Sequence, residues 1–132
     1  MKMRRTTIVL AALLALGASH APAQNEPLKR TVLQQADLSN LPGQQGVLYK
    51  AEIGPGASIP KHTHPGDEFV YVVQGSLIVE PEGHEPVTLK EGESFRMPMG
   101  HVHQARNAGS VPAVLIAFSA SAKGAPLVLL AE

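Results

Sequence analysis

From Val47 onward, no stretch of this chain runs far before a glycine or proline interrupts it. Runs of β-type residues fit between the interruptions: Val47–Ile53, Ile59–His64, Glu68–Gln74, Ser76–Glu80, Val87–Lys90, Ser94–Met97, His101–Asn107 and Ala113–Ala120. The breaks are Gly54-Pro55-Gly56, Pro65-Gly66-Asp67, Pro81-Glu82-Gly83, Glu91-Gly92-Glu93, Pro98-Met99-Gly100 and Gly109-Ser110. A helix needs a longer segment with apolar residues recurring every third or fourth position, and nothing past the N-terminal region offers one. Short strands at such regular spacing build a sandwich or a barrel rather than βαβ units. The expected fold class is therefore all-β.

The N-terminus follows different rules. Lys2, Arg4 and Arg5 precede an unbroken apolar run from Ile8 to Leu16, and Ala21-Pro22-Ala23 presents the small residues that a signal peptidase reads. This is the pattern of a secretory signal peptide, residues 1–23, cut after Ala23. The apolar run falls well short of the roughly 20 residues that span a bilayer, and with no cysteine in the chain there is no lipid attachment through an N-terminal Cys. No stable membrane anchor is expected; the product is periplasmic or secreted. Arg4-Arg5 leaves open whether the general or the twin-arginine route carries it. Residues 24–46 read as an N-terminal arm or edge strand, with one short apolar run at Thr31-Val32-Leu33, and residues 47–132 as one barrel with a C-terminal strand.

Losing Lys2, Arg4 and Arg5 leaves 8 basic against 11 acidic residues. No basic patch remains to hold phosphates, which argues against nucleic acid as a partner. The missing cysteines also exclude disulfides and thiolate metal sites. Phe69-Val70-Tyr71-Val72-Val73 and Val114-Leu115-Ile116-Ala117-Phe118 are apolar at every position, so both faces of these strands call for cover. Pro126-Leu127-Val128-Leu129-Leu130 needs cover as well. A homodimer is expected to supply it.

The chemistry concentrates in two places. His62 and His64 share a face if their segment is extended, because side chains two apart project to the same side of a strand. Glu68 has the same parity across the Pro65-Gly66-Asp67 turn, and His103 follows the reversal at Pro98-Met99-Gly100. A lone His-x-His is weak evidence, but here most of the histidines past the leader fall within two glycine-spaced motifs with a carboxylate nearby. His62, His64, Glu68 and His103 make a ligand set for one divalent transition metal, and nitrogen and oxygen donors without sulfur suit Mn, Fe, Ni, Cu or Zn. With ordinary imidazoles, the metal should leave as pH falls through about 6.

These motifs carry a resemblance. Gly56, five residues, His62-Thr63-His64, three residues, Glu68, six residues and Gly75 match the first cupin motif without a gap. Gly92, five residues, Pro98-Met99-Gly100, two residues, His103, three residues and Asn107 match the second. The chain thus resembles the small single-domain cupins over about Val47 to Phe118. The resemblance implies a double-stranded β-helix, or jelly-roll barrel, with the metal near its mouth. It also implies turn glycines at positions 56, 75, 92 and 100, with Asn107 bonding backbone rather than metal. Small cupins of this kind are often described as quercetin-dioxygenase-like, which implies oxygenase chemistry, although decarboxylases and isomerases share the same ligands.

The stretch Met97-Pro98-Met99-Gly100-His101 departs from the small or aliphatic residues common there in similar cupins. Two readings stand: a soft auxiliary site favouring copper, or methionines filling core gaps beside an exposed His101. Asp67 reads as a turn cap, Tyr71 faces away from the metal, and Arg96 and Gln104 are weak candidates for reaching a substrate. Two functions remain. One is a metalloenzyme acting on a small metal-chelating compound; the other is a non-catalytic exported module binding a metal or small ligand.

Overall fold

The computed structural model describes residues 27–132, so the signal-peptide reading lies outside the described residues. Ten strands and no helix are found among them: β1 (Leu28–Asp37), β2 (Gln44–Ile53), β3 (Ser58–Thr63), β4 (Gly66–Gln74), β5 (Ser76–Pro81), β6 (Val87–Lys90), β7 (Ser94–Met97), β8 (His103–Arg106), β9 (Ala113–Ala122) and β10 (Leu129–Leu130). They form two five-stranded antiparallel sheets, ordered β1-β2-β9-β4-β7 and β10-β3-β8-β5-β6. Each sheet turns one face to the other, the jelly-roll arrangement. Among the described residues no helix is long and apolar enough to cross a membrane.

Alternation sorts the residues between the faces. On β2, Val47, Tyr49, Ala51 and Ile53 point inward and are buried, while Lys50 and Glu52 pair with each other on the outer face at 3.1 Å. Ile59, Val72, Leu77, Val79, Leu89, Met97, Ala105, Ala113, Leu115 and Ala117 complete the core. The outer face of β4 and β9 behaves differently. Phe69, Tyr71, Val73 and Phe118 remain exposed, so the described chain does not itself provide the second cover that the all-apolar runs within these strands call for.

Backbone geometry fixes the turns. Glycines 56, 75, 92 and 100 all have positive φ, between 73° and 86°, as the motif resemblance implies. At Gly75 a side chain would also meet the Pro112 carbonyl oxygen at 2.8 Å. Gly66 matters for another reason: an added Cβ would lie 1.7 Å from the backbone oxygen of Ala120. Close contact between β4 and β9 therefore requires a residue with no side chain here, between His64 and Glu68. Asn107 ties three segments together. Its Nδ2 donates to the carbonyls of Ile53 (3.0 Å) and Val111 (2.8 Å), and its Oδ1 accepts from the Gly109 amide at 2.9 Å.

Candidate metal centre

His62 on β3 and His103 on β8 stand directly opposite each other. An irregularity makes this possible. The register slips between Ile59 and His62, so both face the interior although they are three positions apart. Strict alternation would turn one of them outward. Pro60 lies in the slip, where a residue without an N–H is tolerated, and its carbonyl accepts a hydrogen bond from His62 Nδ1 at 2.8 Å.

The other two rings are oriented in the same manner. His64 Nδ1 donates to the Leu127 carbonyl at 2.7 Å, just before β10, and His103 Nδ1 donates to the His101 carbonyl at 3.0 Å. A carbonyl can only accept, so each Nδ1 carries the proton and each Nε2 keeps a bare lone pair. The three imidazoles are buried, and one ring nitrogen from each lies within 4.8 Å of the others. The rings of His62 and His103 are the nearest pair, with centroids 4.1 Å apart.

Glu68 enters from β4 beside His64. Its Oε2 is 2.8 Å from His64 Nε2, and that buried nitrogen has no hydrogen-bond partner among the described residues. Its Oε1 accepts from the Tyr49 hydroxyl. Glu68 thus adjoins one imidazole rather than falling within the 4.8 Å set. Ser119, opposite Glu68 in the register, holds a second buried and unpartnered polar atom, its hydroxyl.

Burial shifts every one of these groups towards its neutral form. It lowers the His62, His64 and His103 pKa values to about 4, against smaller upward pulls from the carbonyls they bond. It raises Glu68 to about 7, opposed by the nearby Arg30 guanidinium. The weakening of metal binding expected near pH 6 therefore has another origin: these rings stay neutral to much lower pH, and Glu68 is the group that takes up the proton there.

The residues fit a metal. The unprotonated His64 Nε2 is buried without a donor, which is costly for a protein on its own; one divalent cation would satisfy it together with the nitrogens of His62 and His103. Beside them is a cavity of about 50 Å³, lined by Arg30, Tyr49, Glu68, the three histidines and apolar side chains including Ile59, Leu77 and Leu115.

Comparison with known proteins agrees with this geometry. Residues 49–119 match the family model described as "Cupin domain". The chain belongs to the cupin family. Among curated cupin relatives, the tetracenomycin polyketide synthase protein TcmJ of Streptomyces glaucescens is 32% identical over 111 residues, spanning 83% of this chain and 72% of that protein. Auxin-binding protein ABP19b of Prunus persica is 33% identical over 108 residues, 75% of this chain and 52% of that protein. The chain spans only about half the length of this and other plant relatives. A Klebsiella pneumoniae protein with a double-stranded β-helix domain superposes with a TM-score of 0.65 at 23% identity, over 85% of this chain and 90% of that one. This last likeness concerns the cupin fold alone.

The remaining candidates fall away from the chamber. Met97 is buried in the core, Met99 is 66% exposed, and His101 Nε2 lies 3.2 Å from the Glu82 carbonyl. Met97 and His101 instead help to line a separate apolar cleft of about 310 Å³, with Phe95 and His84. Asp67 accepts from Arg96 at 2.8 Å and from the Met99 amide at 2.9 Å, which anchors the β7–β8 turn. Gln104 pairs with Glu80, and Tyr71 faces out. Two chamber residues escaped the sequence reading: Tyr49 and Arg30. Tyr49 could have been found from its inward parity with Val47 and Ala51. Arg30 carried a weaker signal, one of two adjacent cations on a strand whose register only the pairing reveals.

Proposed function

We propose that this cupin is a mononuclear metalloenzyme, with one divalent transition metal (Mn, Fe, Ni, Cu or Zn) held by His62, His64, His103 and Glu68, acting on a small metal-chelating organic compound. The observation that carries the proposal is the commitment of all three Nδ1 atoms to backbone carbonyls, which leaves three unprotonated nitrogens converging in a buried chamber. The ion would supply Lewis acidity or carry dioxygen, the dioxygenase-like option. The chain's own residues orient the donors: Tyr49 aims the carboxylate, and Pro60, His101 and Leu127 aim the rings. The free space beside these donors is about 50 Å³, so the substrate's reacting end is small. The name of the relative TcmJ, a polyketide synthase protein, supports an organic substrate.

One observation favours the second reading, a non-catalytic binding module. Apart from the proposed ligands, the polar groups lining the chamber are Tyr49, which is occupied by Glu68, and Arg30. Among the described residues lining the chamber, no further acid or base stands ready to move a proton. The proposal extends to export through residues 1–23 and to a homodimer formed on the Phe69, Tyr71, Val73 and Phe118 face, checked by N-terminal sequencing of periplasmic protein and by sedimentation.

The deciding experiment is elemental analysis of protein purified from the periplasm, followed by oxygen uptake with catechols, flavonols and diketones. One metal per chain, with turnover abolished by His62→Ala, supports the enzyme. Tight metal without turnover supports the module. A wild-type protein that takes up no metal overturns the enzyme and leaves, of the second reading, only a module for a small ligand.

A further inference from the structure

Among the described residues, Lys50, Lys61, Arg96, Arg106 and Lys123 each pair with a carboxylate at or near the surface. Arg30 differs. It lies on β1 opposite Ala51, a buried residue of β2 that faces the chamber. Directly opposed residues of antiparallel strands project to the same side, so Arg30 enters the chamber, where it lines the same 50 Å³ space as the three histidines and Glu68. No carboxylate lies in ion-pair contact with it among the described residues. A guanidinium in this place is a liability for holding a cation. With a divalent ion on the histidines, the chamber would contain the ion and the guanidinium against the single charge of Glu68. That positive excess sits in largely apolar surroundings, where charges act strongly.

We propose that Arg30 is a specificity-determining residue that selects an anionic ligand, a small carboxylate or enolate, holding one end while the other end reaches the metal. The inference rests on the metal reading above and adds the charge and size of the substrate. Arg30 presents donors in a planar fork that matches a carboxylate. The space that both groups line is about 50 Å³, which favours a small ligand. A neutral ligand would leave the positive excess uncompensated.

The test uses Co(II)-loaded protein, with binding read from the visible spectrum and the cobalt content per chain measured in every sample. Oxalate and azide serve as anionic probes and imidazole as a neutral one. Arg30→Gln should weaken oxalate and azide about tenfold or more, the scale of one charge-assisted contact, while imidazole changes less than about threefold. Arg30→Lys, which keeps the charge but loses the fork, should fall between wild type and Arg30→Gln for oxalate and stay near wild type for azide. The proposal is overturned if both variants bind the anions like wild type, or if Arg30→Gln weakens imidazole equally. Absence of cobalt from the wild type is a separate result: it overturns the metal reading, and this inference with it.

Discussion

Metal uptake by this cupin should release close to one proton at pH 6, and the number follows from the chamber. Glu68, raised by burial to about 7, is about nine-tenths protonated at pH 6 and must lose that proton to serve as a ligand. The three imidazoles, lowered to about 4, carry almost none at that pH. Ordinary imidazoles would each be about three-quarters protonated there and together would release more than two protons. Titration calorimetry with Zn(II), in two buffers of different ionisation enthalpy, counts the protons directly. Affinity should then decline by about one decade per pH unit from 7 towards 4, and more steeply below, where the rings also protonate. Release of two or more protons at pH 6 would refute the account of buried, neutral rings. Release of none would refute the protonated carboxyl.

The metal-free protein should lose stability in acid. Between their ordinary 6.5 and about 4 the native imidazoles stay unprotonated while those of the unfolded chain take up protons, so stability falls as pH drops through that window. Glu68 acts in the opposite sense, favouring the native state less as pH rises from 4.5 to about 7, but it is one group against three. Urea midpoints of chelator-treated protein at pH 7, 5.5 and 4.5 check this; midpoints that rise towards pH 4.5 would contradict it. Gly66→Ala should cost more than about 2 kcal/mol and reduce metal binding, because the new Cβ meets the Ala120 backbone, as thermal melts and metal analysis would show. Asn107→Ala strands the Ile53 and Val111 carbonyls and the Gly109 amide, a loss of about 3 kcal/mol measurable by urea unfolding, with metal stoichiometry unchanged.

Much of this molecule was legible in its sequence. Gly and Pro placement marked the strands from Val47 on closely, and Val87–Lys90 and Ser94–Met97 coincide with β6 and β7, because a residue free of side-chain constraint or lacking an N–H leaves few alternatives at a turn. The two histidine motifs pointed to the side chains that converge. Parity failed where the backbone departs from regularity: the slip at Pro60 lets Ile59 and His62 share the interior, and no alternation rule foresees a bulge. Supporting groups were hidden for another reason. The contacts of Leu127 with His64, Tyr49 with Glu68, and Arg30 with the chamber join positions far apart in the chain. They depend on which strands become neighbours, and local pattern does not encode that. The all-apolar runs within β4 and β9 spoke clearly of a need for cover, and their outer residues Phe69, Tyr71, Val73 and Phe118 stand exposed in the folded chain.

The hydrogen bond between His64 and Leu127 has a consequence for when the chamber matures. Leu127 is made long after the imidazole it steadies, and it arrives only when the tail lies down along β3 as β10. A chain stalled or clipped before that residue would hold two rings in fixed orientation and leave the third free to swivel. Capture of an ion would then double as a completion signal, and a bulky fusion that peels the tail from β3 would weaken metal retention without touching a single donor.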